Sequence, residues 1–390
     1  MSALTPFLKD KDVFIELRRD LHKHPEIAFQ ERRTSQVVAE TLREYGIETH
    51  TGLAGTGVVG VLRVGQSEKS IGLRADMDAL PMQEENVFAH RSCHDGKMHA
   101  CGHDGHTTML LAAAKHLAET RRFDGVVNFI FQPAEENEGG ARVMVEEGLF
   151  DAFPMEAVFG MHNMPMLPLG TFVARPGPLM AGFDVFTITV RGTGGHAAIP
   201  QYVKDPIVAA SNLVGALQAI VARNVDPLKS AVLSVTQIHG GDSFNVIPQE
   251  VKVCGTVRYF DRAVGDEVER RIAETAAGLG AAFGVAADVA YERRYPPTVN
   301  DPQEAAFCSD VLAATFGETC LDATVPPLMG SEDFAFMLQH KRGCYIWAGT
   351  RADDRGGVSL HNPNYDFNDD LIPYGAAYWA RLVEMRLSAA

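Results

Sequence analysis

The chain has 390 residues, more than one hydrophobic core usually serves, so two domains are expected. With 46% hydrophobic and 22% charged residues it has ordinary globular composition, which argues against disorder, and a net charge of -15 disfavours nucleic acid as a partner. Residues 1–10 show neither a basic leader nor an apolar core, no run approaches the roughly 18 apolar residues that cross a bilayer, and six cysteines are scattered without a framework spacing, so a reduced, cytoplasmic protein with no membrane partner is expected.

Residues 13–21 carry apolar side chains at helical spacing, with Pro25 stopping the run, and 34–45 form a second helix ended by Gly46. Two β-branched runs, 58–64 and 70–73, read as strands, the second leading into Arg74-Ala75-Asp76-Met77-Asp78. The alanine- and leucine-rich stretch 105–120 is a helix that starts just after His103. Residues 126–131 are continuously apolar, the pattern of a strand buried on both faces, and end at Pro133. A short strand over 157–160 ends near His162, and 344–348 repeats the buried pattern before the loop that holds His361. Alternating strands and helices predict an α/β fold with a mostly parallel sheet covered on both faces, its ligands beyond the carboxyl ends of the strands.

Near Arg175-Pro176-Gly177-Pro178 the pattern changes. Residues 183–190 alternate as a half-exposed strand, followed by a helix (206–222), two strands (231–238, 250–259), a helix (264–279) and a strand (286–291). This β-α-β-β-α-β order is ferredoxin-like. The expected division is therefore a catalytic domain over 1–179 and 295–390, with an inserted α+β lid over 180–294.

Four short stretches put metal-binding side chains beside glycine or proline: Met98-His99-Ala100-Cys101-Gly102-His103-Asp104, Gln132-Pro133-Ala134-Glu135-Glu136, Gly160-Met161-His162-Asn163 and Leu360-His361-Asn362-Pro363. A thiolate, three imidazoles and a carboxylate suit borderline divalent metals, and an adjacent acid can serve as a base, which points to metal-assisted hydrolysis. Each stretch has a plainer reading: a packed thiol and a helix cap at Cys101 and His103, a solvated acidic loop at Glu135 and Glu136, satisfied polar groups at His162 and His361. Their common setting at strand ends and helix starts favours the metal. Asp104 or Asp76 is expected to accept the free ring N–H of a ligand histidine. His99 and His106 are expected just outside the ligand set, and the remaining histidines to be structural or exposed. In the inserted segment, His196 on a glycine hairpin, Asn245 and Arg258 suit a carboxylate ligand.

The motifs as a set, with Leu21-His22-Lys23-His24-Pro25-Glu26 and Arg74-Ala75-Asp76-Met77-Asp78-Ala79-Leu80-Pro81, run in order from about residue 17 to 386. They resemble the aminoacylase and carboxypeptidase family of dinuclear metallopeptidases, in the branch of hippurate hydrolases, N-acyl-amino-acid amidohydrolases and indoleacetyl-amino-acid hydrolases. Other branches have histidine and aspartate where this chain has Arg74 and Cys101. The resemblance implies two divalent metal ions per subunit (zinc, or manganese, cobalt or nickel). Cys101 would bridge them, with His103 and His162 on one and Glu136 and His361 on the other. Glu135 would be the catalytic base, and His196, Asn245 and Arg258 the lid contacts to a small N-acyl amino acid. A homodimer or higher homo-oligomer through the lid is also implied. Two alternatives are a dipeptidase or aminopeptidase, which needs an acidic residue for the free amine, and a metal-binding protein of the same fold without activity.

Overall fold

The computed structural model describes residues 3–388 apart from 137 and 354. The chain divides into two compact units, Met1–Leu179 with Val299–Pro326 and Asp333–Ala390, and Met180–Thr298 with Pro327–Glu332.

The first unit is built on a seven-stranded sheet in the spatial order Glu48–Leu53, Gly57–Val64, Gly125–Gln132, Ser70–Asp76, Ala157–Pro168, Arg342–Arg351, Phe172–Val173. The four strands from Gly125–Gln132 to Arg342–Arg351 run parallel, and the strands outside them pair antiparallel. Gly125–Gln132 and Ser70–Asp76 are buried at every position, as strands covered on both faces must be. The helix His103–Thr120 packs against Ser70–Asp76 and against Ile372–Arg386, burying Met109, Leu110, Leu111 and Leu117. At roughly 1.5–3 kcal/mol for each fully buried large aliphatic side chain, this seating holds the start of the helix, and the loop before it, in a fixed place. Gly105 is what lets the helix approach so closely, since a Cβ there would lie 2.2 Å from the Phe367 ring.

Among the elements that differ from expectation are two strands of this sheet. The strand expected over 157–160 runs on as Ala157–Pro168, because its parallel ladder with Arg342–Arg351 continues through Trp347 opposite His162 and Ala348 opposite Asn163. His162 therefore stands within a strand rather than in a loop after it. The edge strand Glu48–Leu53 was not expected at all; its side chains are mostly exposed and it carries no apolar signal.

The second unit is a four-stranded antiparallel sheet in the order Ala231–His239, Glu250–Tyr259, Gly182–Arg191, Ala286–Tyr295, with the helices Pro206–Asn224 and Arg262–Phe283. Gly182–Arg191 alternates buried and half-buried positions, which is the signature of one face on a core and one outside. Beyond the expected span of 180–294 this unit also takes residues up to 298 and 327–332. Met180 bridges Leu328, and the Ala181 N–H is shared between the Leu328 and Gly330 carbonyls. By length and composition the helix Pro206–Asn224 could cross a membrane, against the expectation that no segment could. Its Ala209, Ala210, Leu213, Leu217 and Ile220 belong to the core of this unit.

Candidate metal centre

The expected donors come together in the first unit. Cys101 Sγ lies 3.3 Å from His162 Nε2, and these two with His103 offer three ligand atoms within 4.8 Å of one another. Cys101 also forms such a group with Glu136 and His361, so the sulfur is common to two triads. Glu135 and Glu136 join His103 in another. Cys101, His103, Glu135 and His162 are buried, whereas His361 is half-exposed. That places one side of the cluster toward solvent.

Each donor is held by the local fold. Gly102, at φ +94° before the helix His103–Thr120, turns the chain so that Cys101 and His103 face the same place, and a Cβ there would lie 2.3 Å from Asn163 Oδ1. Ala134 at φ +55° turns the chain sharply after the buried strand, and the turn brings the carboxylates of Glu135 and Glu136 to His103. His361, at φ +59°, is fixed by its N–H donated to the Ala100 carbonyl at 2.8 Å. His162 Nδ1 meets the Asn163 carbonyl at 2.7 Å, which leaves Nε2 for the cluster.

The partner of His103 is not one of the two expected. Its Nδ1 lies 3.1 Å from Asp78 Oδ1, and the other Asp78 oxygen accepts the Glu136 N–H at 2.9 Å. One carboxylate thus orients a histidine and a glutamate of the cluster together. Asp76 instead contacts His106 Nδ1 at 2.6 Å, and His106 Nε2 reaches Asn163 Oδ1 at 2.6 Å. With both nitrogens engaged, His106 is a support, as expected. Asp104 accepts from His22 and from Arg18. His99 lies in the same surroundings, but neither ring nitrogen has a hydrogen-bond partner among the described residues, and burial depresses its pKa to about 4.

Sequence reasoning also missed a buried ionic layer under the glutamates. Arg74 binds Asp76, Gln132 and Asp333 at 2.7, 2.7 and 3.0 Å. The Asp333 N–H in turn donates to Glu135 Oε1 at 3.3 Å. Burial opposes ionisation of Asp76, yet His103, Arg74 and His106 hold its carboxyl well below the usual range. The only available signal was the charged Arg-Ala-Asp-Met-Asp run at the end of an otherwise apolar strand.

The donor chemistry fits divalent cations. His103 Nε2 is buried with no hydrogen-bond partner among the described residues, and Glu136 Oε1 sits 3.0 Å from His361 Nε2 in a geometry that is not a hydrogen bond. Buried polar atoms left without partners at a cluster of donors are what a shared cation satisfies. Burial, followed by Glu136, Glu135 and Asp76, pushes the Cys101 thiol well above its ordinary value. Burial likewise keeps His162 neutral, its pKa well below the usual one.

Behind the cluster, His22 is fully buried between Asp104 (2.9 Å) and Glu84 (3.2 Å). Burial opposes its charging, but the two carboxylates raise its pKa to about 9. Its stabilisation is complete below the unfolded value near 6.5 and fades as pH rises through about 9, by about 3 kcal/mol at most. Denaturant unfolding of the native chain is therefore expected to lose more stability between pH 6.5 and 9.5 than that of His22→Gln; parallel curves would mean that His22 is uncharged in the fold.

In the second unit, His196 and Asn245 are neighbours: Gly195–His196 pairs with Val246–Ile247, and the Ala197 N–H is donated to the Asn245 carbonyl. His196 is exposed. Arg258 makes no surface ion pair among the described residues; its guanidinium stacks on Phe183 at 3.9 Å and donates to Ser331 Oγ at 3.0 Å.

Comparison with known proteins agrees with this geometry. The family model described as peptidase family M20/M25/M40 matches residues 72–385. Hippurate hydrolase of Campylobacter jejuni is 42% identical over 98% of this chain and 98% of its own length. N-acetylcysteine deacetylase of Bacillus subtilis is 38% identical over 94% of this chain and 95% of its own. A solved Bacillus subtilis structure, described as a dinuclear metal-binding peptidase of the M20 family, superposes with a TM-score of 0.84 at 34% identity, covering 97% of this chain and 98% of the other.

Proposed function

The chain belongs to peptidase family M20/M25/M40, and from that premise we propose that it is a dinuclear amidohydrolase releasing a carboxylic acid and a free amino acid from an N-acyl amino acid. The observation that carries this reading is the shared sulfur of Cys101 between two donor triads, with Glu135 beside them. Cys101, His103 and His162 would hold one cation, and Cys101, Glu136 and His361 the other. Bound there, divalent cations would supply Lewis-acid polarisation of the amide carbonyl and acidify water. Zinc, manganese, cobalt and nickel all suit this ligand set.

Glu135 takes the proton of the attacking water and returns it to the departing amine. Its burial and the Asp333 N–H fix the carboxylate for both transfers. Asp78 keeps His103 and Glu136 in register, so the cluster needs little rearrangement. His196, Asn245 and Arg258 are assigned to the substrate on the strength of the family resemblance, as is a homo-oligomer formed through the second unit. Six unpaired cysteines support a cytoplasmic location.

Assay against benzoyl- and acetyl-amino acids and against unblocked dipeptides tests the reading. Acyl amino acids are expected to be hydrolysed in a chelator-sensitive way, and dipeptides at least about 100-fold less efficiently, since binding an unblocked substrate adds the desolvation of a charged amine. Comparable efficiency on dipeptides would make the protein a dipeptidase instead, and no hydrolysis of either by metal-loaded protein would leave a metal-binding fold.

A further inference from the structure

We propose that Glu31, which belongs to none of the donor groups, is a positioning residue that sets the Ala134–Glu135–Glu136 turn and so the placement of Glu135 and Glu136. Glu31 is fully buried just before the helix Arg32–Glu44. Its Oε1 accepts the Ala134 N–H at 2.9 Å and the Phe29 N–H at 3.0 Å, and its Oε2 accepts from Thr56 Oγ1 at 2.7 Å. A carboxyl group buried only to cap a helix would point at that helix. This one reaches across the sequence to a strand end.

The residue it reaches is conformationally costly. Ala134 sits at φ +55°, a left-handed conformation that costs an alanine roughly 1–2 kcal/mol. Three hydrogen bonds hold the turn at backbone atoms. Glu31 takes the Ala134 N–H, the Gly140 N–H donates to the Ala134 carbonyl at 2.8 Å, and Asp78 takes the Glu136 N–H at 2.9 Å. Gly140 is required at its place, because a Cβ would fall 1.8 Å from the Pro133 carbonyl oxygen. Of the three, the Glu31 bond is the one made at the entry to the turn, where the strand's own ladder ends. Without it, a buried N–H is left unpaired, at about 1–3 kcal/mol, unless the turn relaxes toward ordinary dihedrals. Relaxation rotates the two side chains that follow.

This assignment rests on the proposed roles of Glu135 and Glu136, and its test includes a readout that does not need turnover. Co²⁺ is titrated into the metal-free full chain and followed by the thiolate-to-cobalt absorption, alongside kcat and KM on an acyl amino acid. Glu31→Ala is expected to weaken Co²⁺ binding by roughly 10- to 100-fold, the cost of losing a group that orients a ligand, and to lower kcat about tenfold or more with KM within about threefold. Adding Ala134→Gly, which makes the left-handed turn cheap, is expected to recover at least half of the lost affinity on a logarithmic scale. Thr56→Val, which removes a contact of the carboxylate but leaves its bond to Ala134, is expected to lower the melting temperature and leave Co²⁺ affinity within about threefold. If Glu31→Ala does not fold, Glu31→Asp, one methylene shorter, carries the same comparison with a loss of at least about threefold. Native Co²⁺ affinity and kcat in whichever variant folds, or a loss that Ala134→Gly does not relieve, overturns the proposal. Absence of amide hydrolysis in the native chain would refute the proposed function alone, because the affinity comparison still decides the role of Glu31.

Discussion

Glu135→Gln is expected to lower kcat on an N-acyl amino acid by about 10²- to 10⁴-fold, the range supplied by a positioned general base, while the metal content stays native. Glu135 is buried at the exit of the strand Gly125–Gln132, and its Oε1 accepts the Asp333 N–H. The amide has the same shape and keeps an acceptor oxygen for that N–H, so the turn and the neighbouring Glu136 are undisturbed. What it lacks is a basic lone pair able to take a proton at neutral pH. Metal analysis of the purified variant and steady-state kinetics separate the two effects. Activity within about threefold of native at full metal content would move the base to another residue.

Cys101→Ala is expected to have the second large effect, by removing the one donor common to both triads. Affinity for both cations should fall by more than the roughly 10- to 100-fold that follows loss of a group merely orienting a ligand, and hydrolysis with it. Cys101→Ser should not restore it. Burial and three surrounding carboxylates already push the thiol well above its ordinary pKa, and a hydroxyl in the same place is a weaker acid still. Equilibrium dialysis against Zn²⁺ and Mn²⁺ measures this directly. A variant that still binds two equivalents at native affinity would show that the sulfur is not a ligand. The fold itself should survive, since the exchange removes a single buried sulfur atom.

The parts of the structure readable from sequence were those governed by local pattern. The buried run before Pro133, the alanine-rich helix after His103 and the β-α-β-β-α-β order of the second unit each correspond to an observed element. Cys101, His103, Glu135, Glu136 and His361 were legible because each stands close to a backbone break, at Gly102, Pro133 or Pro363. His162 was placed after a strand rather than within it, because the continuation of that strand depends on pairing with Arg342–Arg351, far along the chain. Asp78 was passed over for Asp76 and Asp104 for the same reason. Which of three acids near a histidine touches its ring is decided by tertiary placement, and periodicity carries no trace of that. Glu31 and Asp333 were invisible for a simpler reason: an acid in a polar stretch of sequence looks solvated until the neighbouring strand is in place.

The donors also differ greatly in when they become available. Four of them precede residue 163, whereas His361 follows the entire second unit in the chain. During synthesis, which proceeds from the N-terminus, the emerging polypeptide carries the Cys101–His103–His162 triad long before the ribosome reaches the imidazole that completes the other. His162, however, stands opposite Trp347 on the late strand Arg342–Arg351, so neither triad takes its final shape until the C-terminal part of the chain has been made.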